Sequence, residues 1–235
     1  MTKTAEHKEH EVKPGVRAQR RDDMRRRLFR VASQLFAQSG FDATTYDDIA
    51  REAGVARQTV FNHFPRKEDF AFEWGAGNRS HLEALVTSSE FASETATNRL
   101  LMIVQTMAVL YNESAAEARV LLQAWVKAGG PIVEDPTLLG KQFQAIIETG
   151  QSTGEFHPEL NAQTAAELFR AAYFDSLFRW VTADPTDPAS DLLASMIARL
   201  EVILTGLRVP PLAALPYPAR YGGIAPHSLS PDSPE

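Results

Sequence analysis

The chain has 235 residues, of which 44% are hydrophobic and 23% charged, and its formal net charge is −6. This composition is typical of a globular protein that buries one sizeable core or two smaller ones. It contains no apolar run long enough for a membrane span, no signal-peptide core and no cysteine, which excludes a disulfide framework and predicts a cytoplasmic location.

Positive charge is concentrated towards the N-terminus. Residues 1–70 carry 14 Lys and Arg against 11 Asp and Glu, whereas the rest of the chain carries 10 against 19. Basic side chains supply the phosphate contacts of a DNA binder, and an acidic body is repelled by the duplex. The alternative is an ordinary solvated charge run ahead of a helix.

The N-terminal region divides into an arm and a first helix. Residues 1–21 lack apolar periodicity and are interpreted as a disordered basic arm. From about Asp22 apolar residues recur with helical spacing, and Gly40 is expected to end this first helix as a left-handed cap.

Two short helices are predicted next, joined by a tight turn. Thr45 and Asp48 form a capping box at the start of the second helix, and Gly54 supplies the turn after it. A third helix runs from about Arg57 to Phe64, because Pro65 disfavours helical geometry at the residue before it.

The remaining chain keeps helical periodicity and shows no useful strand pattern. Further helices are predicted at 67–86, where Gly75 and Gly77 interrupt the pattern, and at 97–111, 113–128, 137–150, 162–181 and 190–207. The proline-rich segment 209–235 is predicted to be a disordered tail. The fold class is therefore all-α, with a three-helix helix-turn-helix domain at 22–70 and a larger helical domain at 71–208.

The third helix carries an unusual concentration of polar side chains on its outer surface. Its two buried positions are Val60 and Phe64. The side chains left outside are Arg57, Gln58, Thr59, Phe61, Asn62 and His63. Arginine, glutamine and asparagine match the hydrogen-bonding edges of guanine and adenine in the major groove, so this helix is predicted to read DNA.

The order of residues through this region carries a family resemblance. The matching positions are Gly40-Phe41, Thr44-Thr45, Asp48-Ile49-Ala50, Ala53-Gly54-Val55, Thr59-Val60-Phe61-Asn62-His63-Phe64 and Lys67-Glu68-Asp69. This pattern resembles the DNA-binding domain of the TetR family of bacterial transcriptional regulators, closely from about Met24 to Phe70. The rest of the chain resembles the family only in its helical layout and length.

The resemblance implies a role for each exposed position. Phosphate contacts are expected from Thr45, Tyr46 and Lys67. Base readers are expected at Arg57, Gln58 and Thr59, and mixed base and backbone contacts at Phe61, Asn62 and His63.

Three residues depart from the family pattern. Phe61 stands where the family often has tyrosine, and Ala56 and Arg66 occupy the expected N-cap positions of the third and fourth helices. The alternative function is therefore a helical protein-interaction adaptor with a weakened DNA-binding head.

The last two helices carry dense apolar stripes, and in the family such helices pair with a second copy. We expect a homodimer, which suits a two-fold operator. The expected interface residues are Phe174, Leu177, Phe178, Val181, Leu193, Met196, Ile197, Leu200 and Leu204. The alternative is that these residues fill a monomer core.

A small-molecule pocket is implied by the family resemblance alone, since residue spacing does not indicate one. Its candidate lining is Met102, Gln105, Met107, Trp125, Phe143, Ile146 and Tyr173, although such stripes also occur in ordinary cores. No catalytic motif, metal-ligand pair or cofactor fingerprint occurs. The sequence therefore predicts a non-enzymatic repressor that binds a palindromic operator as a dimer and is released by a ligand.

Overall fold

The structure is a computed structural model that describes residues 15–130, 137–184, 186–187 and 190–208. Within these ranges every regular element is helical and no strand occurs. In chain order the helices are α1 (Val16–Ser39), α2 (Tyr46–Ala53), α3 (Arg57–His63), α4 (Glu68–Val86), α5 (Ser89–Ser93), α6 (Ala96–Glu113), α7 (Ala115–Lys127), α8 (Thr137–Ser152), α9 (Ala162–Thr182) and α10 (Leu192–Arg208). The predicted all-α fold is confirmed, and the short α5 is the element that the sequence pattern missed.

Helices α1 to α3 form a small head around their own core. Leu28, Phe36, Ile49, Val60 and Phe64 are fully buried there. The apolar positions of these three helices thus face one another, which leaves their polar faces outside.

The turn between α2 and α3 has the chemistry expected from the sequence. The Thr45 side chain accepts from the backbone N–H of Asp48, and the Asp48 carboxylate accepts from the backbone N–H of Thr45, so the capping box is confirmed. Gly54 ends α2 with φ of 64° and ψ of 38°, a left-handed conformation that favours glycine.

Helix α1 begins earlier than the sequence pattern predicted. It starts at Val16, so residues 16–21, assigned to a disordered arm, are helical. This segment contains alanine, arginine and glutamine, which favour helix even where no apolar stripe is present. Residues 1–14 of the predicted arm and the predicted tail at 209–235 lie outside the described residues.

Helices α4 to α10 form a larger body with a second core. Leu100, Ile103, Phe143, Leu177 and Leu200 are among its most buried side chains. Leu121 of α7 belongs to the core of the head, so α7 joins the two parts. Among the described helices none is long and apolar enough to cross a membrane.

Helix α4 runs without a break from Glu68 to Val86, contrary to the interruption predicted at its two glycines. Gly75 is buried, whereas a Cβ at Gly77 would meet no atom within 4 Å. Glycine costs roughly 1 kcal/mol relative to alanine in a helix, and packing of α4 against the body overrides this preference.

Two glycines on helices provide a matched test of this packing. A Cβ on Gly150 would overlap the Phe156 ring and lie 2.9 Å from Ala96 Cβ, whereas Gly77 has open space. We expect Gly150→Ala to lower the free energy of unfolding by about 1–3 kcal/mol and Gly77→Ala to raise it by up to about 1 kcal/mol. Urea denaturation at a fixed protein concentration measures both, and equal effects of the two substitutions would contradict the packing described here.

Candidate nucleic-acid interface and cavity

One face of α3 is open to solvent over its whole length. Arg57, Gln58, Phe61 and Asn62 are exposed, and Phe61 keeps 49% of its surface accessible. They lie at helical positions i, i+1, i+4 and i+5, which share one side of a helix. The structure therefore brings two of the predicted base readers and two of the predicted mixed contacts together on a single surface. Thr59 and His63 are partly buried.

The polar groups on this face are held only by weak exposed contacts. Arg57 Nη1 lies 3.2 Å from Asp47 Oδ2, and Gln58 Nε2 donates to Asn62 Oδ1 at 2.9 Å. Exposed pairs of this kind contribute little net free energy, so these donors and acceptors can exchange partners for base edges or phosphates.

The two residues predicted as phosphate contacts at the start of α2 have internal roles. The Thr45 hydroxyl is 2.6 Å from Asp48 Oδ2 within the capping box. The Tyr46 hydroxyl donates to the Phe64 carbonyl at 2.8 Å and ties α2 to the end of α3. Burial, with nearby Asp69 and Glu68, raises the pKa of Tyr46 to about 12. The Tyr46 hydroxyl therefore stabilises the packing of α2 against α3 within the head.

The C-terminal end of α3 is fixed by Arg25 of α1. Its guanidinium donates to the His63 carbonyl and to Glu73 Oε2 of α4 at 2.7 Å, and it lies 4.2 Å from the Phe64 ring centroid. Desolvation lowers the pKa of His63, as do Arg21 and Arg25, and the buried His63 Nδ1 makes no hydrogen bond in the described part of the chain. The neutral imidazole is thus the favoured form in the head.

Lys67, the third expected phosphate contact, precedes α4 and is partly buried. Its ammonium donates to the Asp42 carbonyl at 3.1 Å and lies 4.9 Å from the Phe41 ring centroid. Desolvation lowers its pKa. The Lys67 side chain therefore stabilises the loop after α1, and its charged group lies near the surface of the head.

Helix capping differs between α3 and α4. Ala56 provides no side-chain bond at the start of α3, as the sequence predicted. Helix α4 begins one residue later than expected, and the N–H of Arg66 donates to Asp69 Oδ2 at 2.8 Å. The predicted absence of a side-chain cap is therefore confirmed, one residue later at Lys67, and Asp69 binds only the backbone N–H that precedes this position.

A cavity of about 110 Å³ lies between α4, α6, α7, α8 and α9. Its apolar walls include the rings of Trp74, Trp125 and Phe174, and Gly75 brings the α4 backbone to its edge. The polar side chains on its lining are Asn78, Arg79, Glu83, Tyr111, Gln142, Arg170 and Tyr173. Such a mainly apolar space with a few polar groups is typical of a small-molecule site.

Residues 28–73 match the family model described as bacterial regulatory proteins, tetR family. The match spans α2 and α3 and ends inside α4. The chain contains a DNA-binding domain of the TetR family at these residues. It is therefore a DNA-binding transcriptional regulator, and the adaptor alternative is not favoured.

Relatives whose similarity extends beyond this segment support the same assignment. The transcriptional repressor KstR2 of Rhodococcus jostii is 25% identical over 206 residues, which cover 79% of this chain and 92% of the relative. The structure of Thermus thermophilus FadR, a TetR-family repressor in complex with lauroyl-CoA, is 25% identical with a TM-score of 0.55 and covers 81% of this chain and 98% of that one. FadR of Bacillus halodurans, at 20% identity, shares the fold with a TM-score of 0.65, covering 84% of this chain and all of that one.

The cavity includes some of the predicted ligand residues and excludes others. Met107, Trp125 and Tyr173 line it. Phe143 lies on a separate void of about 10 Å³, too small for a ligand. Three predicted residues do not line the cavity: Met102 is partly buried, Gln105 is exposed and Ile146 is buried in the core.

The polar lining residues of α4, α8 and α9 were missed in the sequence. Arg79, Gln142 and Arg170 come from three helices, and no local motif brings them together. The one sequence signal that could have indicated these residues is a polar side chain within the apolar stripe of a buried helix.

The predicted dimer residues also divide into two groups. Leu177, Met196, Leu200 and Leu204 are at most 4% exposed and fill the core of their own chain, so they cannot face a partner and that part of the prediction is wrong. Phe178 is exposed, and the others are partly buried: Phe174, Val181, Leu193 and Ile197. The most buried residues of the apolar stripes on α9 and α10 therefore face the core of their own chain.

Proposed function

We propose that the protein is a homodimeric repressor whose two α3 helices read the halves of a palindromic operator, and that a small molecule in the cavity releases it. The observation that carries the DNA-binding part is the open face formed by Arg57, Gln58, Phe61 and Asn62. These side chains combine donors, acceptors and an apolar ring, as base readers do in the major groove. Phe61 is suited to a thymine methyl group because it has no hydroxyl.

The outer surfaces of α9 and α10 support the dimer. Leu168, Phe178 and Val202 remain 56%, 40% and 74% exposed, although each is a large apolar side chain. On α10 one row of exposed residues recurs every fourth position and consists mostly of small side chains: Ala194, Ala198, Val202 and Gly206. Small side chains allow close approach of a second helix, and burying this apolar surface would stabilise the pair.

Charged residues also connect α9 and α10. Asp175 of α9 accepts from Arg179 at 2.9 Å and lies 3.0 Å from Arg199 of α10. Hydrogen bonds from Arg179 and Arg199 lower the pKa of Asp175.

Glu73 has a positioning role in this proposal. It holds the guanidinium of Arg25 at 2.7 Å, and Arg25 in turn binds the carbonyl at the end of α3. The orientation of the reading helix thus depends on α4, the helix that also borders the cavity.

For operator recognition, we expect selection from a genomic DNA library with purified protein to enrich a palindromic sequence. Arg57→Ala, Gln58→Ala and Asn62→Ala should each weaken binding to that sequence by about 1–3 kcal/mol, and the triple variant should lose sequence preference. Fluorescence anisotropy across a salt series measures this loss, with Lys141→Ala on α8 as the control. A triple variant that still prefers the selected sequence would contradict the proposed reading face.

For dimerisation, we expect sedimentation equilibrium to give twice the chain mass of 26.0 kDa. Val202→Glu should weaken association at least tenfold, because a carboxylate would be buried in the interface. Val109→Glu on α6 is the matched control, since Val109 is 52% exposed and lies elsewhere. Equal effects of the two substitutions, or a wild-type protein at single-chain mass, would argue against this interface.

For the positioning role, Glu73→Gln should weaken operator binding about threefold to fivefold, the range expected for a partly exposed ion pair. Amide hydrogen exchange in α3 should become faster in the same variant. Asp23→Asn removes the neighbouring exposed pair with Arg26 and should change neither measurement. Unchanged exchange in α3 of Glu73→Gln would rule out a role for this ion pair in holding the helix.

A further inference from the structure

The size of the cavity limits the apolar part of its ligand. At about 110 Å³ it is somewhat smaller than an engineered protein cavity of about 150 Å³ that binds benzene. A single ring fits this space, whereas a lauroyl chain does not fit unless the helices separate.

The shape of the walls also favours a ring. The Trp125 and Phe174 rings are nearly parallel, with an interplanar angle of 18° and centroids 6.4 Å apart. Trp74 packs against Tyr111 at 5.6 Å on the α4 side. Flat aromatic surfaces contact a planar ring over more of its area than they contact a flexible chain.

A pair of buried hydroxyl groups provides a donor for the ligand. Tyr111 and Tyr173 lie with their hydroxyl oxygens 3.0 Å apart, and the described residues offer neither hydroxyl another partner. Burial raises both pKa values, that of Tyr111 to about 12, so both groups stay protonated. One proton serves the bond within the pair, and the other can be donated to a ligand oxygen.

Gln142 provides the complementary acceptor. Its Oε1 is buried and receives no hydrogen bond in the described part of the chain. A buried acceptor without a donor destabilises the protein, and a ligand donor would remove this penalty. A hydroxyl group both donates and accepts, so it can satisfy Gln142 and the tyrosine pair together.

The partly exposed side of the cavity carries net positive charge. Arg79 and Arg170 line it together with one carboxylate, that of Glu83. Arg170 has no hydrogen-bond or ion-pair partner among the described residues. A guanidinium in this state is suited to a carboxylate, which it can bind through two parallel hydrogen bonds.

We infer that the cavity binds a one-ring organic anion that carries a hydroxyl group on its buried end and a carboxylate towards Arg170. This inference rests on the ligand-release part of the proposed function and specifies its ligand class. A hydroxyphenyl alkanoate has all three features.

Three small probes test the class by calorimetric titration of the full-length protein. They are para-hydroxyphenylacetate, phenylacetate, which lacks the hydroxyl group, and para-hydroxyphenylethanol, which lacks the carboxylate. We expect the complete compound to bind at least tenfold more tightly than either analogue. Lauroyl-CoA is the fourth probe, and tighter binding of it in competition with the small probes would overturn the one-ring limit.

Two substitutions assign the groups. Arg170→Gln should reduce the affinity for para-hydroxyphenylacetate at least tenfold and leave that for para-hydroxyphenylethanol unchanged, which also shows that the variant is folded. Gln142→Leu should abolish the preference for the hydroxyl group. Gln144→Leu is the control, because Gln144 pairs with Glu148 outside the cavity. Unaltered discrimination in Arg170→Gln or Gln142→Leu would overturn the corresponding contact.

Operator binding in the same samples separates this inference from the proposed function. If ligand-free protein binds its selected operator and none of the small probes binds up to millimolar concentration, the ligand class is wrong and the DNA-binding role stands. If para-hydroxyphenylacetate binds with the expected specificity but does not release the operator, the ligand class stands and release by ligand is wrong.

Discussion

The geometry of the head depends on the contacts made by the Arg25 guanidinium. It donates to a carboxylate on α4 and to the carbonyl that ends α3, and it lies over the Phe64 ring. Charge-assisted hydrogen bonds are stronger than neutral ones, and the ring adds a cation–π attraction. A helix as short as α3 would be marginal in isolation, so its orientation comes from such contacts.

Helix α4 extends this dependence to the body. Glu73 faces the head, whereas the next two residues, Trp74 and Gly75, line the cavity. Trp74 also packs against the buried clusters of both parts. A ligand shifts an equilibrium only through different contacts in its two states, and α4 provides contacts that occupation of the cavity would change. In the proposed function, movement of this helix would reach α3 through the Arg25–Glu73 ion pair and through the Phe70 ring, which stacks on Phe64 with centroids 3.9 Å apart.

Features fixed by neighbouring residues could be predicted from the sequence, and those fixed by distant contacts could not. The bounds of α2 follow from Thr45, Asp48 and Gly54, since a capping box and a left-handed glycine act within one helical turn. The internal role of the Tyr46 hydroxyl depends on a carbonyl 18 residues away, which no local pattern specifies.

The apolar stripes of α9 and α10 show the same limit of pattern reasoning. Their period predicted two amphipathic helices, and those helices are present. Periodicity identifies a buried face but does not distinguish the chain's own core from a partner's surface. Leu200 and Val202 illustrate the difference, since the first is 2% exposed and the second 74%.

Buried polar atoms without a partner occur in the two regions discussed above, helix α3 and the cavity. In the part of the chain that the structure describes, two buried side-chain atoms lack a hydrogen-bond partner, His63 Nδ1 and Gln142 Oε1. The first lies on α3 and the second beside the cavity. Buried groups of this kind destabilise the fold, and such departures from local consistency are expected where a protein binds something else. In the proposed function a ligand donor would satisfy Gln142 Oε1, whereas His63 Nδ1 is buried within the head and out of reach of a duplex.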